Sequence, residues 1–439
     1  LSIHIGRDKI LILSFFLFVI LLGSALLVIP GVFSGGKLKY VDALFTSTSA
    51  VCVTGLITVD TTQYSRLGQV IIMLLIQVGG LGIITFATLF LALPRQRISI
   101  INKGVISDYA LSEVEYQPKV IIRSIVKYTL SFEAVGAIAY AIRFKALGYP
   151  LFYAVFHAVS AFCNAGFSTF SDNLESFVTD PTVNFTTMFL IIIGGIGFIV
   201  IRDLRKVLVG KRTHLSYHSK VVFKTTAALI LGGAAIFFLL ERNASMSALS
   251  FPQKIIASLF QSVTPRTAGF DTIAQNRFSQ GSQLLTMILM FIGASPASTG
   301  GGVKTTTFFI LIMTAFRYKD TSDLVNHGGR NLMPRTVYKA VGVVVKGILI
   351  ILVASTAIIL TEEWAGHLIS LTDVVFETIS AFGTVGLSKG ITSSLHSLSK
   401  VILIITMFIG RVGLFALALP KTNRDVEGYA RLPTADIMI

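Results

Sequence analysis

The sequence predicts an all-α membrane protein: eight transmembrane helices set as four helix–pore loop–helix repeats, with fourfold pseudosymmetry around one pore. Three observations predict it. Hydrophobic residues make up 53% of the 439 and charged residues only 13%, with a mean hydropathy of +0.77. A water-soluble chain of this length needs more charge to cover its surface. Apolar runs long enough to span a bilayer fall in pairs. Between the members of each pair lies a small-residue segment ending on glycine: Ser49-Ala50-Val51-Cys52-Val53-Thr54-Gly55, Ser160-Ala161-Phe162-Cys163-Asn164-Ala165-Gly166, Thr264-Pro265-Arg266-Thr267-Ala268-Gly269 and Ser380-Ala381-Phe382-Gly383-Thr384-Val385-Gly386. Each copy follows a phenylalanine: Phe45, Phe156, Phe260 and Phe376.

The first run, residues 10–29, is apolar throughout and ends at Pro30-Gly31, long enough to cross a hydrocarbon core of roughly 30 Å. Arg7 and Lys9 precede it, as in a signal peptide. A signal's apolar region is usually shorter, and the run completes the first repeat, so it reads as a helix. The other spans are 69–93, 120–142, 184–201, 221–240, 282–316, 338–360 and 400–419. Four runs too short to cross, 41–50, 152–161, 252–263 and 373–381, stand directly before the glycine segments. They read as re-entrant half-helices, and irregular backbone after them is tolerated at membrane depth only where it lines a water-filled path or is buried in protein. The repeats are therefore 10–93, 120–201, 221–316 with an intramembrane gating loop at 294–307, and 338–419, followed by a C-terminal tail, 420–439.

The second span of each unit repeats as well. Gly79-Gly80-Leu81-Gly82, Gly194-Gly195-Ile196-Gly197, Gly293-Ala294-Ser295-Pro296 and Gly410-Arg411-Val412-Gly413 begin 24, 28, 24 and 24 residues after the loop glycines. Internal repetition on this scale fixes architecture better than local propensity. In the first two units the glycines are read as close helix packing.

The net charge of +15 is a topology signal. Basic residues cluster after every second span: Arg95, Arg97 and Lys103; Arg202, Arg205, Lys206, Lys211 and Arg212; Arg317, Lys319, Arg330, Arg335 and Lys339; Lys421, Arg424 and Arg431. The positive-inside rule puts about 26 of the basic residues, and both termini, on the cytoplasmic side of the cell membrane. The charge is thereby accounted for without nucleic acid. Cys52 and Cys163 occupy equivalent places in two repeats, lack the company of a metal site, and read as packing residues.

The repeated loop suggests an ion filter. A monovalent cation entering the membrane exchanges water for fixed oxygens, and backbone carbonyls supply these without a full charge. Glycine permits the positive φ that turns consecutive carbonyls one way, and a half-helix aims its negative dipole end at the ion. The candidate ion-binding residues are Val53, Thr54, Gly55, Asn164, Ala165, Gly166, Thr267, Ala268, Gly269, Thr384, Val385 and Gly386, with K⁺ held by their carbonyls. Asp271, just beyond Gly269, either attracts cations at the mouth or is a solvated loop residue. The third unit breaks the helical pattern at 292–307, where Pro296 and Gly300-Gly301-Gly302 cannot sustain a stable helix; this is expected to be the only break among the second spans. Arg411 replaces a glycine in an apolar span, where a charge is costly and usually functional. Glu133 is an intramembrane acid whose partner is either a half-helix backbone or Lys127, with a structural or a functional role equally open. No catalytic constellation or phosphate-binding loop is visible, so no enzyme is expected.

Four units of helix, pore loop and helix, each loop with one key glycine, closely resemble the Trk/Ktr/HKT superfamily of potassium transporters, over about residues 10–439. The resemblance implies K⁺ as the transported ion, since four glycines accompany potassium in the family and a serine at the first accompanies sodium. It implies that the segment carrying Pro296, Gly300, Gly301, Gly302 and Lys304 obstructs the pore below the filter, and that Arg411 lies beside it. It also implies a homodimer in the lipid membrane on a cytosolic ring of RCK-type, KtrA-like subunits, with ATP or ADP bound only to that partner. Candidate docking surfaces are 95–119, 202–220 and 317–335, and the tail is a candidate for the dimer contact. An alternating-access cation symporter is the alternative, but it needs an inverted repeat, whereas these units run parallel.

Overall fold

Nothing in α1 (Arg7–Leu27) interrupts an apolar helix, and one side of it stays outside the core: Leu11, Leu17, Phe18 and Leu22 are exposed while Ile12, Phe16, Val19 and Ile20 are buried. The same split recurs on α4 (Pro118–Ala146), α8 (Tyr217–Glu241) and α12 (Pro334–Trp364), where Ile138, Leu231 and Val353 face outward. An apolar exterior of this extent suits lipid. The computed structural model describes residues 7–92, 118–317, 325–327 and 330–413.

A short helix follows each of these four: α2 (Tyr40–Val51), α5 (Leu151–Cys163), α9 (Phe251–Val263) and α13 (Leu371–Gly383). They coincide with the four short apolar runs to within two residues. Each is driven inward by its phenylalanine: Phe45, Phe156, Phe260 and Phe376 are fully buried. Small residues seat them against the preceding long helix. Ser47 Oγ donates to the Ile20 carbonyl at 2.7 Å and Ser262 Oγ to the Ile230 carbonyl at 2.8 Å. Such close backbone approach is the usual basis of helix association in lipid.

The closing helices are less uniform. α3 (Arg66–Ala92) is continuous. α6 (Pro181–Ile196) starts cleanly, with Asp180 accepting the Val183 amide at 3.1 Å and proline at the first turn. It then stops at Gly197, and α7 (Phe198–Leu208) leaves at 98°. This corrects the expectation of a single break among the second spans. Gly197 has φ +99°, and the Phe198 amide donates to the Ala297 carbonyl at 2.9 Å, not to its own helix. The third unit breaks as expected, but over 292–304: α10 (Gln280–Phe291) ends, and α11 (Thr305–Arg317) resumes helically at Thr305, within the anticipated 294–307 loop. α14 (Ser397–Phe408) runs into a π-helical turn, Ile409–Gly413.

By length and apolarity, five described helices suffice to cross a membrane (α1, α3, α4, α8 and α12), or six if α6 and α7 form one span. The count is below eight because α10 and α11 are two short halves, and α14 meets the limit of the described residues. A short hairpin, β1 (Val325–His327) with β2 (Arg330–Leu332), precedes α12. Segments 95–117 and 318–324, and the tail 420–439, lie outside the described residues. Two contacts tie distant elements: a buried one, Lys400 Nζ with Asp42 Oδ1 at 2.9 Å, joining α14 to α2, and a part-buried one, Arg143 with Asp180.

Candidate ion pathway

The four glycine segments adopt one backbone course. Two residues before each glycine, a residue with a side chain sits in the left-handed region: Val53 (φ +54°), Asn164 (+60°), Thr267 (+69°) and Thr384 (+49°). The glycines follow at +93°, +70°, +72° and +97° for Gly55, Gly166, Gly269 and Gly386. Left-handed non-glycine residues are uncommon and persist where surroundings over-determine them. Here the surroundings are the other three segments. A Cβ on Gly55 would lie 3.1 Å from Gly166 Cα, one on Gly166 3.0 Å from Gly269 Cα, one on Gly269 3.0 Å from Gly386 Cα, and one on Gly386 2.9 Å from Gly55 Cα. The contacts close into a ring of four. The carbonyls of Thr54, Ala165, Ala268 and Val385 lie in the same contacts, so backbone oxygen from every segment converges there. Val53, Thr54, Asn164, Ala165, Thr267, Ala268, Thr384 and Val385 are all buried.

Residues that sequence reasoning did not single out hold this ring. The hydroxyl opening each segment fastens its end: the Gly55 and Gly386 amides donate to Ser49 and Ser380 Oγ at 3.0 Å each, while Ser160 and Thr264 donate to the Phe167 and Phe270 carbonyls at 2.7 and 2.6 Å. A second tier braces the chain beyond the glycines. Thr46 accepts from Tyr64 at 3.2 Å, His157 meets Ser168 at 3.0 Å, Gln261 donates to Thr272 at 3.3 Å, and Glu377 accepts from Ser388 and Thr392 at 2.6 and 2.8 Å. The signal available was a polar residue recurring at one place in each half-helix. Ser49→Ala strands a buried glycine amide, with an expected cost of about 1–3 kcal/mol, and Ser380→Ala a part-buried one, with a smaller cost. Thermal unfolding of the solubilised protein should show it; melting at the wild-type temperature would mean that these bonds hold nothing.

The irregular segment 292–304 lies against the same ring. A Cβ on Gly300 would strike Thr267 Oγ1 and one on Gly301 Thr384 Oγ1, so only glycine lets the segment approach. Its two ends are pinned together, Gly293 donating to the Val303 carbonyl at 2.8 Å and Val303 to Phe291 at 3.3 Å. Its flank is anchored to α6, Ser295 N reaching the Gly195 carbonyl at 3.0 Å and Thr299 N that of Gly194 at 3.2 Å. Lys304 donates to the Gly300 and Gly301 carbonyls at 2.8 and 3.4 Å. Arg411, 3% exposed, donates to the Thr299 carbonyl and, at 3.3 Å, to that of Gly79. Pro296 carries the carbonyl that faces Gly197. Pro296, Gly300, Gly301, Gly302, Lys304 and Arg411 are thus gathered into one assembly. Gly79, Gly194 and Gly410 each lie against the last carbonyls of their own half-helix, those of Val51, Phe162 and Phe382.

Glu133 is placed differently from either expectation. Gln77 Nε2 donates to it at 3.2 Å and Cys163 Sγ at 3.9 Å. Asp271 is half-buried and accepts from Gln275 at 3.1 Å. Among the described residues no three His, Cys, Asp or Glu gather as a metal site would require.

The model of the TrkH family, described as a cation transport protein, matches residues 6–424. The chain belongs to the TrkH family. Among its TrkH-type relatives is the Ktr system potassium uptake protein B of Vibrio alginolyticus, 39% identical over 94% of this chain and 90% of that one. The potassium/sodium uptake protein NtpJ of Enterococcus hirae is 36% identical over 98% of this chain and 96% of that one. The crystal structure of the potassium transporter TrkH from Vibrio parahaemolyticus shares the fold, with a TM-score of 0.74 at 21% identity, covering 95% of this chain and 85% of that one. With the TrkH family come a membrane location and cation transport.

Proposed function

We propose that this chain is the K⁺-translocating membrane subunit of a Ktr-type uptake system. The observation that carries the reading is the closed ring of four glycine segments, each with left-handed backbone and a carbonyl against the glycine of its neighbour. In this reading the units 10–93, 120–201, 221–316 and 338–419 surround one pore with fourfold pseudosymmetry, and their eight spans cross the cell membrane with both termini cytoplasmic. K⁺ sheds water at carbonyls of Val53 to Gly55, Asn164 to Gly166, Thr267 to Gly269 and Thr384 to Gly386. Four short helices end at the ring with their negative dipole ends toward the ion. The segment 292–304 is the gate beneath them, and Lys304 and Arg411 hold it shut.

The names of the relatives support K⁺ as cargo, and the word "system" in one supports a multi-subunit assembly. The partner proposed is a cytosolic RCK-type ring, KtrA-like, which binds ATP or ADP and pulls the gate. The chain itself is proposed to be a homodimer in lipid. α7 and the basic residues 202–220 suit such a docking face. The test is K⁺ and Na⁺ flux into liposomes carrying the purified chain, with and without a partner ring. K⁺-selective flux is the expected result; equal K⁺ and Na⁺ rates would overturn the selectivity.

Arg411 is expected to slow permeation both by its charge and by its bonds to Thr299 and Gly79. Arg411→Ala should raise K⁺ flux several-fold. Unchanged uptake and unchanged cation selectivity in that variant would remove Arg411 from the barrier.

A further inference from the structure

Arg266 carries a charge with almost nothing to pair it. It stands three residues before Gly269, where the other three loops have Cys52, Cys163 and Gly383. A guanidinium therefore replaces a thiol or a hydrogen in a pattern otherwise built from small groups. The residue is 6% exposed. Among the described residues its one side-chain hydrogen bond is long, Nη2 to Thr226 Oγ1 at 3.5 Å, and Nε has no acceptor. Among the described residues no charged group opposes it.

The side chain lines a cavity with Ile191, Ile192 and Gly195 of α6, Thr226 of α8 and Val263 of α9. Apart from Thr226 and backbone, these walls are hydrocarbon. The space, about 10 Å³ for a water-sized occupant, admits one small group. A guanidinium offers five donors and keeps its charge at every physiological pH. Burying it without a counter-charge is strongly unfavourable. Water would satisfy a donor but not the charge, and in a space of about one water a phosphate or carboxylate is far too large. A single monatomic anion is only slightly larger than water and supplies the charge, provided the Ile192 and Val263 side chains give by a small fraction of an ångström.

We propose that Arg266 holds a small monatomic anion of the chloride class in the cavity between α6, α8 and α9. Gly195, which also lines the cavity, is the residue whose carbonyl anchors Ser295 at 3.0 Å. The anion thus shares its cavity with an anchor of the segment 292–304. Its charge offsets that of Arg266, which otherwise opposes a cation three residues away in the chain. This effect on flux rests on the cation-pore reading, whereas the site itself does not.

The full chain is heated in KCl, KBr and potassium gluconate at equal ionic strength. Wild type should melt several degrees higher in the two halides, and Arg266→Gln should lose the difference. Where that variant fails to fold, Ile192→Phe, which fills the cavity and keeps the guanidinium, should lose it too. Crystals grown in KBr should give an anomalous peak within hydrogen-bonding distance of Arg266. A wild-type melting temperature indifferent to the anion, with no bromide peak, would mean a water only and overturn the proposal. In liposomes with a protonophore balancing charge, K⁺ uptake should be several-fold faster in chloride than in gluconate. A halide shift with no K⁺ flux in any salt would keep the site and sink the pore reading; a halide shift with anion-independent flux would keep the site and remove its effect on the pore.

Discussion

Gly386→Ser is expected to abolish discrimination between K⁺ and Na⁺ and to cut K⁺ uptake at least tenfold. Two separate effects combine. Gly386 has φ +97°, where a side chain costs about 1–2 kcal/mol of backbone strain. The added Cβ would also lie 2.9 Å from Gly55 Cα and closer still to the Thr54 carbonyl, so the first segment must move and its carbonyl with it. A displacement worth about 1.4 kcal/mol at one ion contact is a factor of ten. Gly366→Ala separates the two effects, because Gly366 has φ +79° and nothing within 4 Å of a Cβ. That variant should lose some stability and keep selective uptake. Selective K⁺ uptake by Gly386→Ser in the same liposome assay would rule out the ring as the selecting element.

Excising 296–302 should release flux without any cytosolic partner. The deletion is feasible because the flanks already touch: Gly293 N meets the Val303 carbonyl at 2.8 Å and Thr305 N the Ala294 carbonyl at 3.3 Å, so α10 and α11 keep their register with a minimal connection. What disappears is the part of the segment against Thr267 and Thr384, with the bonds to Gly194 and Arg411. If that contact is the barrier, K⁺ flux from the purified chain should rise tenfold or more, equivalent to about 1.4 kcal/mol or more off the barrier. Flux no faster than wild type, from well-inserted protein, would place the barrier elsewhere.

How much could be read from the chain depended on whether the cause was local. The four short helices were legible because length and apolarity are properties of a dozen adjacent residues. The glycine at each loop end was legible because repetition marked it, and the break near Pro296 because Pro and three glycines oppose a helix wherever they stand. The bend at Gly197 was not. The Gly194-Gly195-Ile196-Gly197 motif matches that of the continuous α3, and what frees Phe198 from its own helix is a carbonyl at Ala297. Glu133 was misassigned for the same reason, its partners lying on α3 and α5. The bracing hydroxyls were in view but looked like ordinary small residues. Arg266 was in a quoted motif, and only its buried surroundings show that it lacks a counter-charge among the described residues.

The ion pair between Asp42 and Lys400 spans 358 positions of sequence. During synthesis at about 5–20 residues per second, Asp42 waits roughly 20–70 s for its cation to be made. Gly55 likewise has Gly166 to lean on early but lacks Gly386 until the fourth unit is made. The nascent chain therefore accumulates three arcs of an open collar whose clasp arrives last, and a ribosome that stalls after the third unit leaves an acid and a set of carbonyls without their final partner. Quality control that senses an unpaired carboxylate destined for burial would see this protein as unfinished until α14 is in place.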